Sequence, residues 1–422
     1  MAAKCGSFAE HSNCLTVKLL LYSTNFWPEI TGSGKYNGEL AEWFASRGHT
    51  VDVITAPPHY PQWRVAKAYR RKLWFTERVN GVTIYRAPLL VAKTPGGRAR
   101  ILQEISFGIT SLPYWLLVLF RKYDAVFAMC PPLQVGIYPY LYSRLRSVPF
   151  MFHVQDLQVD MAVRLNMIRG SRVIRLLSGV ERFLLTHSTI VSSISEGMKQ
   201  HILKKGVPEQ RYFMLPNWVD LDFIRPLPTS ASLRTSLGYS ATDVVVLYSG
   251  NMGEKQGLEL ILATAKQLKE RADIHFLLCG DGIVKEKIQS DAIVYGLTSV
   301  RFLPLQPYEQ LPALLASADL HLIVQKRAAS DVVMPSKLTS ILAAGGVSIV
   351  TADDDTSLAT VIRENKLGWV VEPENAIALS QQIIRSIEAA DLTSFRLNAR
   401  NYAEKHLSKT TILQRLELFL YG

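Results

Sequence analysis

Short apolar runs recur along the chain, each followed by a polar turn and then by apolar residues at helical spacing. The first is VKLLLYST at residues 17–24. It leads into TGSGKYNGELAEWFASRGHTVDVITA, which reads as a glycine loop, a helix from Tyr36, a turn and a second strand. Further strands are expected at 82–86, 125–128, 150–153 and 189–192. The alternation restarts at 243–248, with three consecutive valines, and continues at 274–279, 299–303, 320–324, 347–351 and 369–371. Strands alternating with helices predict parallel sheets, and the restart predicts two Rossmann-like α/β domains facing a cleft. Between them, residues 215–230 (LPNWVDLDFIRPLPTS) hold three prolines that break the pattern. The expected division is a polar leader over 1–15, a first domain over 16–218 and a second from 219.

A chain of 422 residues is too long for one ordinary core. A hydrophobic share of 48% with 20% charged residues excludes a disordered protein. The net charge of +11 is uneven: residues 1–210 carry 26 basic against 13 acidic residues, the remainder 21 against 23. Residues 64–100 hold ten basic residues and one acid, Glu77, interleaved with Tyr69, Trp74, Phe75 and Tyr85. Three readings stand for this run: a solvated surface, a nucleic-acid face, or a face for anionic lipid. The chain shows no stacking or groove-reading module, so no nucleic-acid partner is expected. The most apolar segment, FGITSLPYWLLVLF at 107–120, is followed by Arg121 and Lys122 and contains Pro113. It reads as too short to span a bilayer, and either as a buried helix or as one lying in a membrane interface. Residues 1–15 lack the basic-then-apolar pattern of a signal peptide, so the expected place is the cytoplasm, against the inner membrane face. Cys5, Cys14, Cys130 and Cys279 show no metal-ligand spacing and read as free thiols, with no structural zinc.

Four loops at strand ends should carry the chemistry, since α/β proteins bind ligands there. Gly32, Ser33 and Gly34 precede a helix and form a candidate anion site; Asn37 stands where a dinucleotide fingerprint needs a third glycine. The second loop, SGNMGEKQGLEL at 249–260, follows the valine strand. The third, CGDGIVKEKI at 279–288, again places Gly280, Asp281 and Gly282 between strand and helix. In the fourth, VQKRAASDVVMPSKLTSILAAGG at 324–346, Lys326, Arg327 and Lys337 flank a loop that enters a helix near Ser336, behind Pro335. Cations at a helix N-terminus suit a diphosphate. Alternatively Ser336 is only a helix cap and the cations only solubilise. The run Asp353-Asp354-Asp355 could suggest metal-binding carboxylates, but three consecutive aspartates on extended chain cannot all face one ion.

SGNMGEKQGLEL, FLPLQPYEQLPALLASADLHLIVQKR, VMPSKLTSILAAGG and PEITGSGKYNGELAEWFASRGHTVDVITAPPHYPQW together resemble GT-B glycosyltransferases of family 4. More narrowly they resemble the WcaI-type fucosyltransferases of colanic acid exopolysaccharide synthesis. The likeness runs from about residue 17 and is weakest over 90–150. It implies a retaining transfer, without metal or other cofactor, from a nucleotide sugar held by the second domain to an acceptor held by the first. GDP-fucose is the best-fitting donor, and a polyprenyl-diphosphate-linked glycan precursor at the inner membrane surface the implied acceptor. The segment from residue 401 to 422 is then the last helical piece, packing back on the first domain.

Cleaving a sugar–diphosphate bond develops negative charge on the leaving phosphate, so a fixed cation and backbone donors there favour the transition state. Gly250 and Gly253 would let backbone approach the diphosphate, with Asn251, Lys255 and Gln256 offering donors. Family members commonly carry Arg and Lys where this chain has Asn251 and Gln256, and paired glutamates where it has Val332 and Ser340. The main cationic role therefore moves to Lys337, helped by Lys255 and Lys326, and part of the acidic one to Asp331. In the first domain, MFHVQDLQVD ends a strand beside the transferred sugar by resemblance; Asp156 is the preferred catalytic group there, ahead of His153. Two other readings remain at this point: a UDP-N-acetyl amino sugar as donor, and a nucleotide-binding partner subunit without turnover.

Overall fold

The computed structural model describes residues 16–29, 32–91, 97–164, 171–327, 335–388 and 392–421. Strands β1 (Lys18–Tyr22), β2 (Thr50–Thr55), β3 (Phe75–Val79), β4 (Val82–Arg86), β5 (Ala125–Cys130), β6 (Phe150–Val154), β7 (Ile190–Ser193) and β8 (Tyr212–Met214) form one sheet. Its order is β3-β4-β2-β1-β5-β6-β7-β8, parallel except for the β3–β4 pair. The second sheet holds β9 (Val244–Ser249), β10 (Ile274–Cys279), β11 (Val300–Leu303), β12 (Leu320–Ile323), β13 (Ser348–Thr351) and β14 (Gly368–Val371), in the order β11-β10-β9-β12-β13-β14. Around the first sheet lie α1 (Gly32–Ser46), α2 (Gly97–Leu119), α3 (Ile137–Arg146), α4 (Gln158–Arg164), α5 (Ser171–His187) and α6 (Glu196–Lys204). Around the second lie α7 (Glu259–Gln267), α8 (Lys285–Val294), α9 (Leu311–Leu315), α10 (Lys337–Ala343), α11 (Ser357–Glu364), α12 (Ala376–Glu388) and α13 (Thr393–His406). The last helix is α14 (Lys409–Tyr421).

Continuous apolar strands are buried on both faces, and their alternation assigns each residue to one of two layers. In β1, Leu20 and Tyr22 join Phe107 and Trp115 of α2, while Leu19 and Leu21 join Phe44 of α1. In β9, Val246 and Tyr248 face Ile261 of α7, and Val245 and Leu247 face Ile341 of α10. The expected pair of parallel-sheet α/β domains is what the chain forms.

Trp218 belongs to the first core and Val219 to the second. The chain crosses back at residues 407–409: Val219 N–H donates to Leu407 O at 2.8 Å and Lys409 N–H to Val219 O at 3.0 Å. Residue 401 falls inside α13, which stays on the second domain through Ala399 and Ala403. Only α14 crosses, placing Ile412, Leu413 and Leu416 in the first core. Glu417 is fixed there by Arg47 Nε at 2.7 Å and His49 Nε2 at 2.9 Å.

Two further sequence expectations change. The glycine segment 32–34 is the first turn of α1 rather than a loop, so that helix starts before Tyr36. The apolar segment at 107–120 lies in a longer helix, α2, which contains Pro113 and buries only one side: Phe107, Ser111, Trp115 and Val118 face the sheet. It is therefore neither short nor a fully buried helix.

Candidate active site

The loops after β9 and β10 lie against each other. Gly250 N–H donates to Cys279 O at 2.9 Å, Met252 N–H to Asp281 O at 2.8 Å, and Val284 N–H to Met252 O at 3.1 Å. A Cβ on Gly280 would stand 1.9 Å from Gly250 O, and one on Gly282 2.4 Å from Met252 O. These two glycines are thus required for loop-to-loop contact, a structural role beside the donor contact expected of them. Asp281 is exposed, and its carboxylate accepts the N–H of Gly282 at 2.9 Å.

Lys337 opens α10 and turns its amine into this junction. A Cβ on Gly250 would meet its Cε at 3.3 Å and Nζ at 3.4 Å, so the bare glycine makes the space that the amine fills. The nitrogen is enclosed, has no hydrogen-bond partner among the described residues, and lies 3.6 Å from the ring centroid of Tyr248. Burial pulls its pKa down to about 7. The ring supplies part of what water would have given the ammonium, and a phosphate oxygen would supply the rest. Tyr248 also fixes the loop, donating its hydroxyl to Asn251 O at 2.6 Å. Sequence reading missed it, because an aromatic at the end of an apolar run looks like core.

Around the loop, Gln256 turns inward: its Oε1 accepts Gly253 N–H at 3.1 Å, shaping the turn rather than offering that oxygen outward. Asn251 is exposed. Lys326 donates its backbone N–H to Lys255 O at 2.9 Å, and Gly257, at φ +62°, leaves room for its stem. Pro335 is half-buried and Ser336 exposed. Ser336 makes no side-chain cap bond, so the simple capping alternative does not describe it. Both line a cavity of about 300 Å³ between the domains, together with Ser195, Asn217, Thr339 and Arg415. Asp331 and Val332 lie outside the described residues.

From the first domain, Asp156 reaches across the cleft. Its Oδ2 is 3.9 Å from Lys255 Nζ, while Oδ1 is enclosed without a partner among the described residues. Burial raises its pKa; Lys255 and, less, Arg100 oppose that rise. His153 is different. It is 3% exposed within β6, shares its Nδ1 with Ser192 Oγ at 2.9 Å, and is pushed by burial to a pKa of about 3. It stays neutral and ties β6 to β7.

A carboxylate of the protein, Glu29, lies beside the start of α1. A Cβ on Gly34 would stand 2.7 Å from Glu29 Cβ and 2.8 Å from Glu29 Oε2. That carboxylate accepts His59 N–H at 2.8 Å, Tyr60 N–H at 2.9 Å and Asn25 Nδ2 at 2.8 Å. Gly32 and Ser33 share this turn, and Gly32 packs near Tyr60. The glycine segment 32–34, expected as an anion site, thus has the Glu29 carboxylate packed against Gly34.

Among the described residues no cluster of three or more His, Cys, Asp or Glu is arranged to hold a metal ion. Asp353 pairs with Arg327 at 2.5 Å and Asp354 with Arg363. An enclosed, unpartnered amine beside a glycine and a facing carboxylate from the other domain can hold a diphosphate next to a group that orients a hydroxyl.

Comparison with known proteins follows the same lines. Residues 31–218 match the glycosyl transferase 4-like domain and residues 231–406 the glycosyl transferases group 1 family. The chain is 37% identical over 408 residues to WcaI of Escherichia coli K12, whose name assigns it to glycosyl transfer in colanic acid biosynthesis; the match covers 94% of this chain and 98% of WcaI. WbjE of Pseudomonas aeruginosa, named as a glycosyltransferase, is 22% identical over 76% of this chain and 78% of its own. In fold, sucrose-phosphate synthase of Thermosynechococcus elongatus superposes with a TM-score of 0.75 at 17% identity, covering 96% of this chain and all of that one. The lipopolysaccharide glycosyltransferase WaaG does so at 0.69 and 16%, over 96% of this chain and 100% of its own. The two matched domains, the near-full-length likeness to WcaI and the paired Rossmann-like sheets place this chain in the GT-B glycosyltransferases of family 4.

Proposed function

We propose that the protein transfers a sugar from a nucleoside-diphosphate donor to a polyprenyl-diphosphate-linked glycan precursor in exopolysaccharide synthesis, at the inner face of the cytoplasmic membrane. GDP-fucose is the donor we favour. The observation that carries the reading is the enclosed Lys337 amine beside Gly250, resting on Tyr248 without a hydrogen-bond partner among the described residues. A leaving diphosphate seated there meets a charge that water does not screen, so the interaction strengthens as the phosphate gains charge. Lys255 flanks the diphosphate, and Asp156 orients the acceptor hydroxyl or balances positive charge on the anomeric carbon. Donor departure and acceptor attack on one face retain the anomeric configuration, and the lysines take the role a metal has elsewhere. The relationship to WcaI supports the pathway. A uridine donor is the second reading, favoured by the bound UDP and glucose of the Anabaena protein HepE, which shares the fold with a TM-score of 0.71.

The test is transfer from a panel of GDP- and UDP-sugars to a glucosyl-diphospho-polyprenol in EDTA, read by mass spectrometry. A deoxyhexose added only from GDP-fucose is expected. Transfer from another donor alone refutes fucose and leaves glycosyl transfer standing. Absence of both transfer and donor hydrolysis, in protein shown to be folded and to bind nucleotide, overturns the enzymatic reading in favour of a partner subunit.

A further inference from the structure

Residues 101–120 expose nine positions, and all nine are apolar. They form one stripe along α2 that includes Ile101, Leu102, Ile105, Ile109, Leu112 and Leu116, and Phe120 just beyond the helix is 86% exposed. The surface continues onto neighbours. Helix α3 contacts both α2 and α5, and it exposes Leu141 and Leu145, as α5 exposes Val173 and Leu176. Exposed apolar side chains gathered on three neighbouring helices mark an interaction face.

Its charge is one-sided. Arg144 and Arg146 end α3, Arg172 and Arg175 rise from α5, and Lys122 follows α2, all exposed; beside Lys122, Arg121 is paired with Asp52 at 3.2 Å and Asp124 is the one exposed acid of that turn. Among their described residues the three helices expose no carboxylate. Glu104 is paired with Arg100 at 3.3 Å, and the buried Glu181 is paired with Lys205. Trp74, half-exposed beside α2, donates its indole N–H to Thr110 O at 2.8 Å, holding an amphipathic ring at the edge of the stripe.

We propose that α2, α3 and α5 form a docking face for an anionic lipid bilayer, with the α2 stripe at the boundary between headgroups and acyl chains and the cations at phosphate level. Residues 99–119 are long and apolar enough to cross a membrane by length and composition. Packing argues against crossing, because Phe107, Trp115 and Val118 are already committed to the sheet. A helix lying in the interface keeps those contacts.

The same helix leads into the cleft. Glu104 Oε1 accepts Gln158 Nε2 at 3.0 Å, and Arg100 acts on the Asp156 carboxylate. A lipid-linked acceptor delivered along α2 would present its first sugar near Asp156. That purpose rests on the function proposed above; the docking itself does not.

The experiment is flotation of the full chain with vesicles of phosphatidylcholine alone or mixed with phosphatidylglycerol. The protein should float with the anionic vesicles, less so at high salt, and remain at the bottom with phosphatidylcholine. The triple variant I105E/I109E/L116E should lose at least tenfold in vesicle binding while keeping its nucleotide affinity, which also reports its folding. R144E/R175E should weaken binding to anionic vesicles alone. The proposal is overturned if the wild type does not float, or if the triple variant floats equally. It is also overturned if light scattering finds a dimer that the triple substitution splits while vesicles stay unbound, because the face then serves a second copy. Flotation without sugar transfer from any donor would sink the proposed function and leave the docking face intact.

Discussion

At the residue scale, Lys337 and the glycines around it make opposite predictions. Removing an unpartnered buried cation should weaken ligand binding without harming the fold, since its desolvation already costs free energy. Lys337→Met is expected to lower nucleoside-diphosphate affinity tenfold or more while the melting temperature holds or rises; calorimetry and a thermal melt decide this. Gly280→Ala should do the reverse. Its Cβ would stand 1.9 Å from Gly250 O, so the loops must separate, and a loss of about 2–3 kcal/mol is expected in chemical denaturation. The glycines were visible in the sequence, but their roles were not. A residue chosen so that two backbones can touch looks the same on the page as one chosen so that a phosphate can approach. Gln256 and Asn251 were legible only as amides at the right place; that Gln256 spends its oxygen on Gly253 depends on the turn's geometry.

At the scale of elements, buried parallel strands were the easiest to read, because an apolar run flanked by turns has few other uses. The strands at 82–86 and 274–279 fall where expected. Two escaped. Strand β3 (FTERV) is a half-exposed edge whose alternating charges merge with the basic run, and β8 is three residues long and only half-buried. Helix α2 was legible as apolar, with a buried and an interfacial reading both open: periodicity cannot separate an inward from an outward stripe when both are apolar. Helix α14 carries a testable share of the fold, because Leu413 and Leu416 complete the core that β1 and α1 begin. Leu413→Ala should cost about 2–5 kcal/mol, measured by urea unfolding, which is more than an ordinary terminal helix would lose. Truncation after residue 408 should leave the first domain unable to fold.

At the scale of the whole molecule, the proposed site draws on groups from both domains. The Lys255–Asp156 contact at 3.9 Å is partly exposed and so contributes little to holding the domains together. Its importance is that it sets a carboxylate from one domain opposite an amine from the other. Asp156, raised by burial, must lose its proton to act on a hydroxyl or a cationic carbon, so kcat/KM should climb as pH rises through its elevated pKa. Lys337, with a pKa of about 7 in the free enzyme, is charged below that value and increasingly neutral above it. A bound diphosphate favours the charged form and raises that pKa, so binding takes up a proton in the interval between the two values. Donor affinity should therefore fall by up to about tenfold per pH unit there. The two limbs together predict a bell-shaped profile for kcat/KM. Lys337→Arg, which stays charged, should flatten the alkaline limb, and Asp156→Asn should remove the acid limb while lowering kcat by about a hundredfold or more. If the alkaline limb survives Lys337→Arg unchanged, the lysine is not the group that holds the leaving phosphate. If Asp156→Asn alters donor affinity but spares kcat, that carboxylate belongs to the contact between domains rather than to the chemistry.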